Sequence, residues 1–140
     1  MYSQNREAFR RVFCDVYAKT QRAEPLQPIE QQIAEILRQH PEYHAVLADP
    51  EIHLRADYAP EDGQTNPFLH LALHLSIQEQ LMTDRPVGIQ AQWSRLAQRH
   101  GAHEAEHAML ECLGQSLWEA QRSGTAPDEQ RYLESVRMLR

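Results

Sequence analysis

The sequence predicts an all-α protein: a compact bundle of five or six helices forming a single domain over residues 1–140. Three observations lead there. Apolar residues recur at three- and four-residue spacing through most of the chain, the period of one helical face. Strict polar/apolar alternation over a strand-length window is hard to find. Proline and glycine stand at the starts and stops of the periodic stretches rather than inside them.

Taken in order, Ser3 to about Gln21 carries Phe9, Val12, Phe13, Val16 and Tyr17 on one stripe. Glu24-Pro25-Leu26-Gln27-Pro28 interrupts it, and Pro28 suits the first position of a second helix with Ile29, Ile33, Ile36 and Leu37. That helix must close before Pro41, because the residue preceding a proline disfavours the helical region. Tyr43, Val46 and Leu47 suggest one more short turn, and Asp49 to Thr65 reads as the longest loop. Asn66-Pro67 is a capping residue followed by a first-turn proline, opening a central helix that runs to about Thr83. Its apolar residues cover more than half the circumference. Asp84-Arg85-Pro86 restarts a helix with Ile89, Trp93 and Leu96, which Gly101 closes. A fifth helix spans about Ala102 to Arg122, stopped by Ser123-Gly124, and Pro127-Asp128 opens a sixth with Tyr132, Leu133, Val136 and Leu139.

Composition removes several classes of function. Fourteen basic against twenty acidic residues give a net charge of -6, which argues against a nucleic-acid coat. No apolar run reaches the roughly 18 residues of a membrane span. The first residues lack the apolar core of a signal peptide, so a cytoplasmic protein with reduced Cys14 and Cys112 is expected. There is no phosphate-binding loop, no glycine-rich nucleotide fingerprint and no Gly-x-Ser-x-Gly. Trp93 and Trp118 read as core or interface residues. Arg6, Arg10 and Arg11 read as a solvated helix face.

Histidine placement stands out. Eight histidines in 140 residues should yield about 0.4 pairs at spacing four by chance. There are three: His40/His44, His70/His74 and His103/His107. Residues four apart on a helix leave the same face one turn apart, so two such imidazoles can chelate one ion. Neutral imidazole suits zinc, iron, nickel or copper. Pro41 lies inside the first pair, which makes it the weakest. His103, His107 and Glu111 form a ridge that winds by about 40° per step. Glu106, on the other flank, competes with Glu111 for the carboxylate role. The metal-ligand set read from the sequence is therefore His70, His74, His103, His107 and Glu111. The competing reading is a metal-free helical interaction module whose His and Glu residues form a buried hydrogen-bonded layer or a dimer contact.

His103-Glu104-Ala105-Glu106-His107 also satisfies H-E-x-x-H, in which the first Glu would act as general base of a zinc hydrolase. That reading is the minor one. No substrate-binding strand is foreseen, Glu111 lies too near in sequence to be the usual third ligand, and Glu104 points about 100° away from His103.

Several segments together carry a family resemblance. They are Asn66-Pro67-Phe68-Leu69-His70-Leu71-Ala72-Leu73-His74, Asp84-Arg85-Pro86-Val87-Gly88-Ile89, His103 to His107, Glu111-Cys112-Leu113-Gly114 and Leu117-Trp118-Glu119-Ala120-Gln121-Arg122. With His40-Pro41-Glu42-Tyr43-His44, they resemble the bacterial family called domain of unknown function 1841 over nearly the whole chain. The resemblance implies a bacterial, cytosolic origin and carries no established activity. A looser similarity is to hemerythrin-like and DinB-like bundles, which hold metal through His-x3-His and His-x3-Glu pairs on antiparallel helices. Only His70/His74, His103/His107 and Glu111 match that style.

The sequence-based expectation is a small helical protein binding one divalent transition metal (zinc, iron or nickel), with no nucleic-acid or membrane partner. Binding needs neutral imidazole, so affinity should weaken as pH falls below about 6. The broadly apolar stretch from Phe68 to Met82 leaves surface for a symmetric partner, so a homodimer is expected. Sedimentation at micromolar concentration checks this: a dimer is the expected species, and a monomer alone would exclude it.

Overall fold

A computed structural model describes residues 2–58 and 66–140, with side chains from Asn5 onward. Its regular structure is helical throughout the described residues. The elements are α1 (Tyr2–Gln21), α2 (Pro28–Arg38), a 3-10 turn (Pro41–Tyr43), α3 (His44–Leu47), α4 (Pro50–His53), α5 (Pro67–Thr83), α6 (Ile89–His100), α7 (Ala102–Ser123) and α8 (Glu129–Arg137). The all-α expectation holds, but five or six helices become eight. The difference comes from α3 and α4, four residues each. Pro50 at the first position starts a helical turn inside the stretch expected to be loop. The part of that expected loop at residues 59–65 lies outside the described residues.

The helix ends follow the local chemistry. The Glu30 carboxylate accepts from the Gln27 N–H at 2.8 Å, ahead of Pro28. Asn66 Oδ1 accepts from the Leu69 N–H at 3.1 Å, and Asp128 Oδ1 from the Arg131 N–H at 3.0 Å. One boundary differs from expectation. Pro86 does not begin α6, which starts at Ile89. Asp84 Oδ1 accepts from Gly88 N–H at 3.2 Å and Gln90 N–H at 3.0 Å, and Gly88, at φ 101°, makes the left-handed entry. Gly124, at φ 66°, closes α7, with its N–H on the Ala120 and Gln121 carbonyls.

The helices group into two compact units, one ending at Ala72 and one running from Leu73 to Arg140. The division falls within α5. In the first unit α1 packs on α2 and α3, and Phe13, Val16, Ile33, Ile36, Leu37 and Leu47 are buried. The expected α1 stripe is narrower than the apolar pattern, since Phe9 and Val12 are about half exposed. Arg10 takes their place inside. Expected on a solvated face, it is only 4% exposed. Its Nη1 donates to the carbonyls of His53, Leu54 and Ala56 at 3.2, 3.3 and 2.7 Å. Its guanidinium also covers the rings of Tyr58 and Phe68, at 5.5 and 5.0 Å. The reason is the end of α4, whose last carbonyls lack helical partners and need a donor. Burial, then repulsion from Arg6, holds the Arg10 pKa below its ordinary value, opposed by Tyr58 and Asp57.

In the second unit α6 and α7 pack together, and α8 lies on both. Their core contains Leu73, Ile77, Ile89, Leu96, Met109, Leu113, Tyr132, Leu133 and Val136. Trp93 packs against it as expected. Trp118 does not: it is half exposed, with the Arg122 guanidinium 4.7 Å from its ring.

Two outcomes follow from the first unit. Arg10→Ala should cost about 3 kcal/mol in chemical denaturation, since it strips a charged donor from three carbonyls, one bond of which is fully buried; a loss below about 0.5 kcal/mol, the level of an ordinary surface change, would contradict this role. Burial, with a smaller push from Asp15 against a pull from Arg11, raises the Cys14 thiol to about 11. Alkylation of Cys14 at pH 8 should accordingly be far slower than that of a free thiol, and should accelerate in Arg10→Ala.

Candidate metal centre

Helix α5 is continuous from Pro67 to Thr83 and carries His70 and His74 one turn apart. Each histidine has its own surroundings.

In the first unit His40 sits just beyond α2 and is 2% exposed. Its Nδ1–H donates to the Ile36 carbonyl at 2.7 Å. A carbonyl can only accept, so the proton is on Nδ1 and Nε2 carries the lone pair of the neutral ring. The His40 ring meets the His70 ring edge-on, with centroids 5.1 Å apart. Tyr43 stacks on His40 at 5.8 Å and meets His70 at 5.7 Å. Burial, then the Glu42 charge, raises the Tyr43 hydroxyl above its ordinary pKa. His44, the sequence partner of His40, is used differently: its Nε2–H donates to the Leu37 carbonyl at 2.8 Å, closing the end of α2.

In the second unit His74 is fully buried. Its Nε2 lies 3.2 Å from Nε2 of His107 on α7, and the two rings are perpendicular. His107 Nδ1–H donates to the His103 carbonyl at 3.2 Å, so His107 Nε2 is the acceptor in the contact with His74 Nε2. His74 Nδ1 lies 3.2 Å from Oε2 of Glu106 without forming a hydrogen bond to it. The two Nε2 atoms are close enough together for one metal ion to engage both.

The residues read from the sequence are thus distributed unevenly. His74 and His107 meet. His103 is exposed, with its ring 4.2 Å from that of His107. Glu106, 8% exposed, is the carboxylate at His74. Glu111 is exposed and lines a groove with Cys112, Tyr132 and Ser135 instead. Glu104, the general base that the H-E-x-x-H pattern would require, is exposed. Sequence reasoning underrated His40. Its only local signal is the spacing to His44, which turns out to serve a helix end. The remaining histidines are occupied structurally: His53 Nδ1 contacts the Tyr58 hydroxyl at 2.6 Å, and His100 Nε2–H donates to the Arg140 carbonyl at 2.6 Å.

A family model described as a domain of unknown function, DUF1841, matches residues 5–138. The chain belongs to this family. The motifs quoted for the resemblance all fall within the matched residues. No curated protein and no solved structure matches the chain, so the looser similarity to hemerythrin-like and DinB-like bundles finds no counterpart in these comparisons. Among the described residues no helix is long and apolar enough to cross a membrane.

Proposed function

We propose that this member of the DUF1841 family binds one divalent transition metal through imidazole nitrogens. The observation that carries the proposal is the 3.2 Å approach of the His74 and His107 Nε2 atoms, with the Glu106 carboxylate 3.2 Å from His74 Nδ1. Two nitrogens bound to one zinc at about 2.0 Å stand roughly 3.3 Å apart in a tetrahedral site, close to the spacing of these two. His74 and His107 are the two ligands that the second unit brings together. Glu106 takes the carboxylate position next to His74, and Glu111 is left out of the set. His103, exposed beside His107, lies at the edge.

The second reading is a metal-free module with a buried His/Glu layer, in which His74 and His107 bond to each other beside Glu106; the same short Nε2 approach favours it. Metal analysis of untagged protein separates the two. One ion per chain is expected, with His74→Ala and His107→Ala each lowering zinc affinity by at least about tenfold. His53→Ala and His100→Ala should leave it unchanged. Protein purified from zinc-replete medium without stoichiometric metal, and unable to take up zinc in titration, would overturn the metal reading in favour of the hydrogen-bonded layer.

A further inference from the structure

Helices α7 and α8 do not close fully on each other. Where they face, α7 presents Ala108, Ser116, Ala120 and Ser123, and the chain opposite presents Ala126 and Ser135. Side chains this small leave a groove of about 420 Å³, within the size range of a binding site. It adjoins a second hollow of about 380 Å³ beside Trp118, with which it shares Glu119, Ser123 and Arg131. Together they form one trough along α7. The Tyr132 ring lines it, since its hydroxyl is turned away to donate to Gln80 Oε1 at 2.6 Å.

The charges along the trough are polarised. Asp128 is spent on the cap of α8, and Glu119 accepts from Gln115 at 3.1 Å and faces Arg131 at 3.8 Å. Glu111, toward one end, forms no hydrogen bond or ion pair among the described residues. At the other end the Arg122 guanidinium lies 4.7 Å from the Trp118 ring and pairs with no carboxylate among the described residues. The Arg131 side chain beside it is 74% exposed. From Glu111 to Arg122 the helix rises about 16 Å. An extended chain covers that distance in about five residues, at roughly 3.3 Å each. Between the ends, the hydroxyls of Ser116, Ser123 and Thr125 form no hydrogen bonds among the described residues, and a main chain lying in the trough would offer them N–H and C=O groups. A half-exposed tryptophan beside an arginine is also the pairing that anchors protein partners.

We infer that this trough binds an extended peptide segment of about five residues, with a cationic side chain at Glu111 and a carboxylate at Arg122 and Arg131. A polyanion would be repelled at Glu111, and a polycation at the two arginines, so complementarity requires one charge of each sign. The trough lies wholly within the second unit and uses neither His74 nor His107.

The test uses the full chain and three degenerate peptide pools with blocked ends: Ala-Lys-x-x-x-Glu-Ala, Ala-Lys-x-x-x-Lys-Ala and Ala-Glu-x-x-x-Glu-Ala, where x is a mixture of neutral residues. Fluorescence polarisation at about 0.15 M salt, which screens long-range attraction to the acidic chain, reads the affinities. The mixed-charge pool should bind saturably and at least about threefold more tightly than either like-charge pool. Glu111→Lys should move the preference to the Glu/Glu pool, and Arg122→Glu to the Lys/Lys pool. Both side chains are exposed, so the variants should keep the native helical circular dichroism. Bound mixed-charge peptide should also slow the alkylation of Cys112, which lines the trough. No saturable binding of the mixed-charge pool at millimolar peptide, or a charge preference unchanged by both substitutions, would overturn the inference. Binding that leaves Cys112 alkylation at its native rate would overturn the placement in the trough.

Discussion

The cost of burying a ring with two polar nitrogens organises the second unit. His74 is wholly enclosed, and helix α7 supplies both of the polar groups set against it: His107 bonds to Nε2, and the Glu106 carboxylate stands 3.2 Å from Nδ1. The apolar packing agrees, since Ala105 and Met109 flank the same stretch and are fully buried. Hydrophobic burial supplies the bulk of the stabilisation here, but it is non-directional and would tolerate a small rotation of α7. The polar contacts would not.

The first unit uses the same principle with a cation. Arg10 is held inside by three carbonyls at and just beyond the end of α4 and by two aromatic faces. Short helices have proportionally more unsatisfied ends than long ones, so a unit containing two four-residue helices needs a donor from elsewhere. His44 does a similar service for α2. The histidines therefore divide by which nitrogen is engaged. His44 and His100 donate from Nε2, whereas His40 and His107 donate from Nδ1.

That division could not be read from spacing. A separation of four residues places two side chains on one helical face, which explains why His70/His74 and His103/His107 stood out. It says nothing about which nitrogen of each ring is consumed locally. His40 and His44 were paired by the same rule, yet the end of α2 at Gln39 separates their tasks. Glu106 and Glu111 are about equally close to His103 around the helix, and only their tertiary neighbours distinguish them: His74 for Glu106, and the groove with Tyr132 and Ser135 for Glu111. Arg10 was misjudged because a charged residue in an amphipathic pattern is assigned to the polar face by default. Its apolar stem and planar head let it serve inside once carbonyls gather there.

By itself the sequence determined the helical class, the ends of the long helices at Asn66, Gly101, Gly124 and Asp128, the family, and the two histidine pairs. All of these depend on interactions within about one turn of a residue, or on motifs contiguous along the chain. The tertiary structure alone decided that His74 meets His107, that Glu106 rather than Glu111 backs it, that His40 stands with His70, and that Arg10 is buried. Those choices depend on how helices distant in sequence are rotated against one another, and a rotation of one residue's step, about 100°, exchanges every partner. Periodicity names the face of each helix; only packing says what that face will touch.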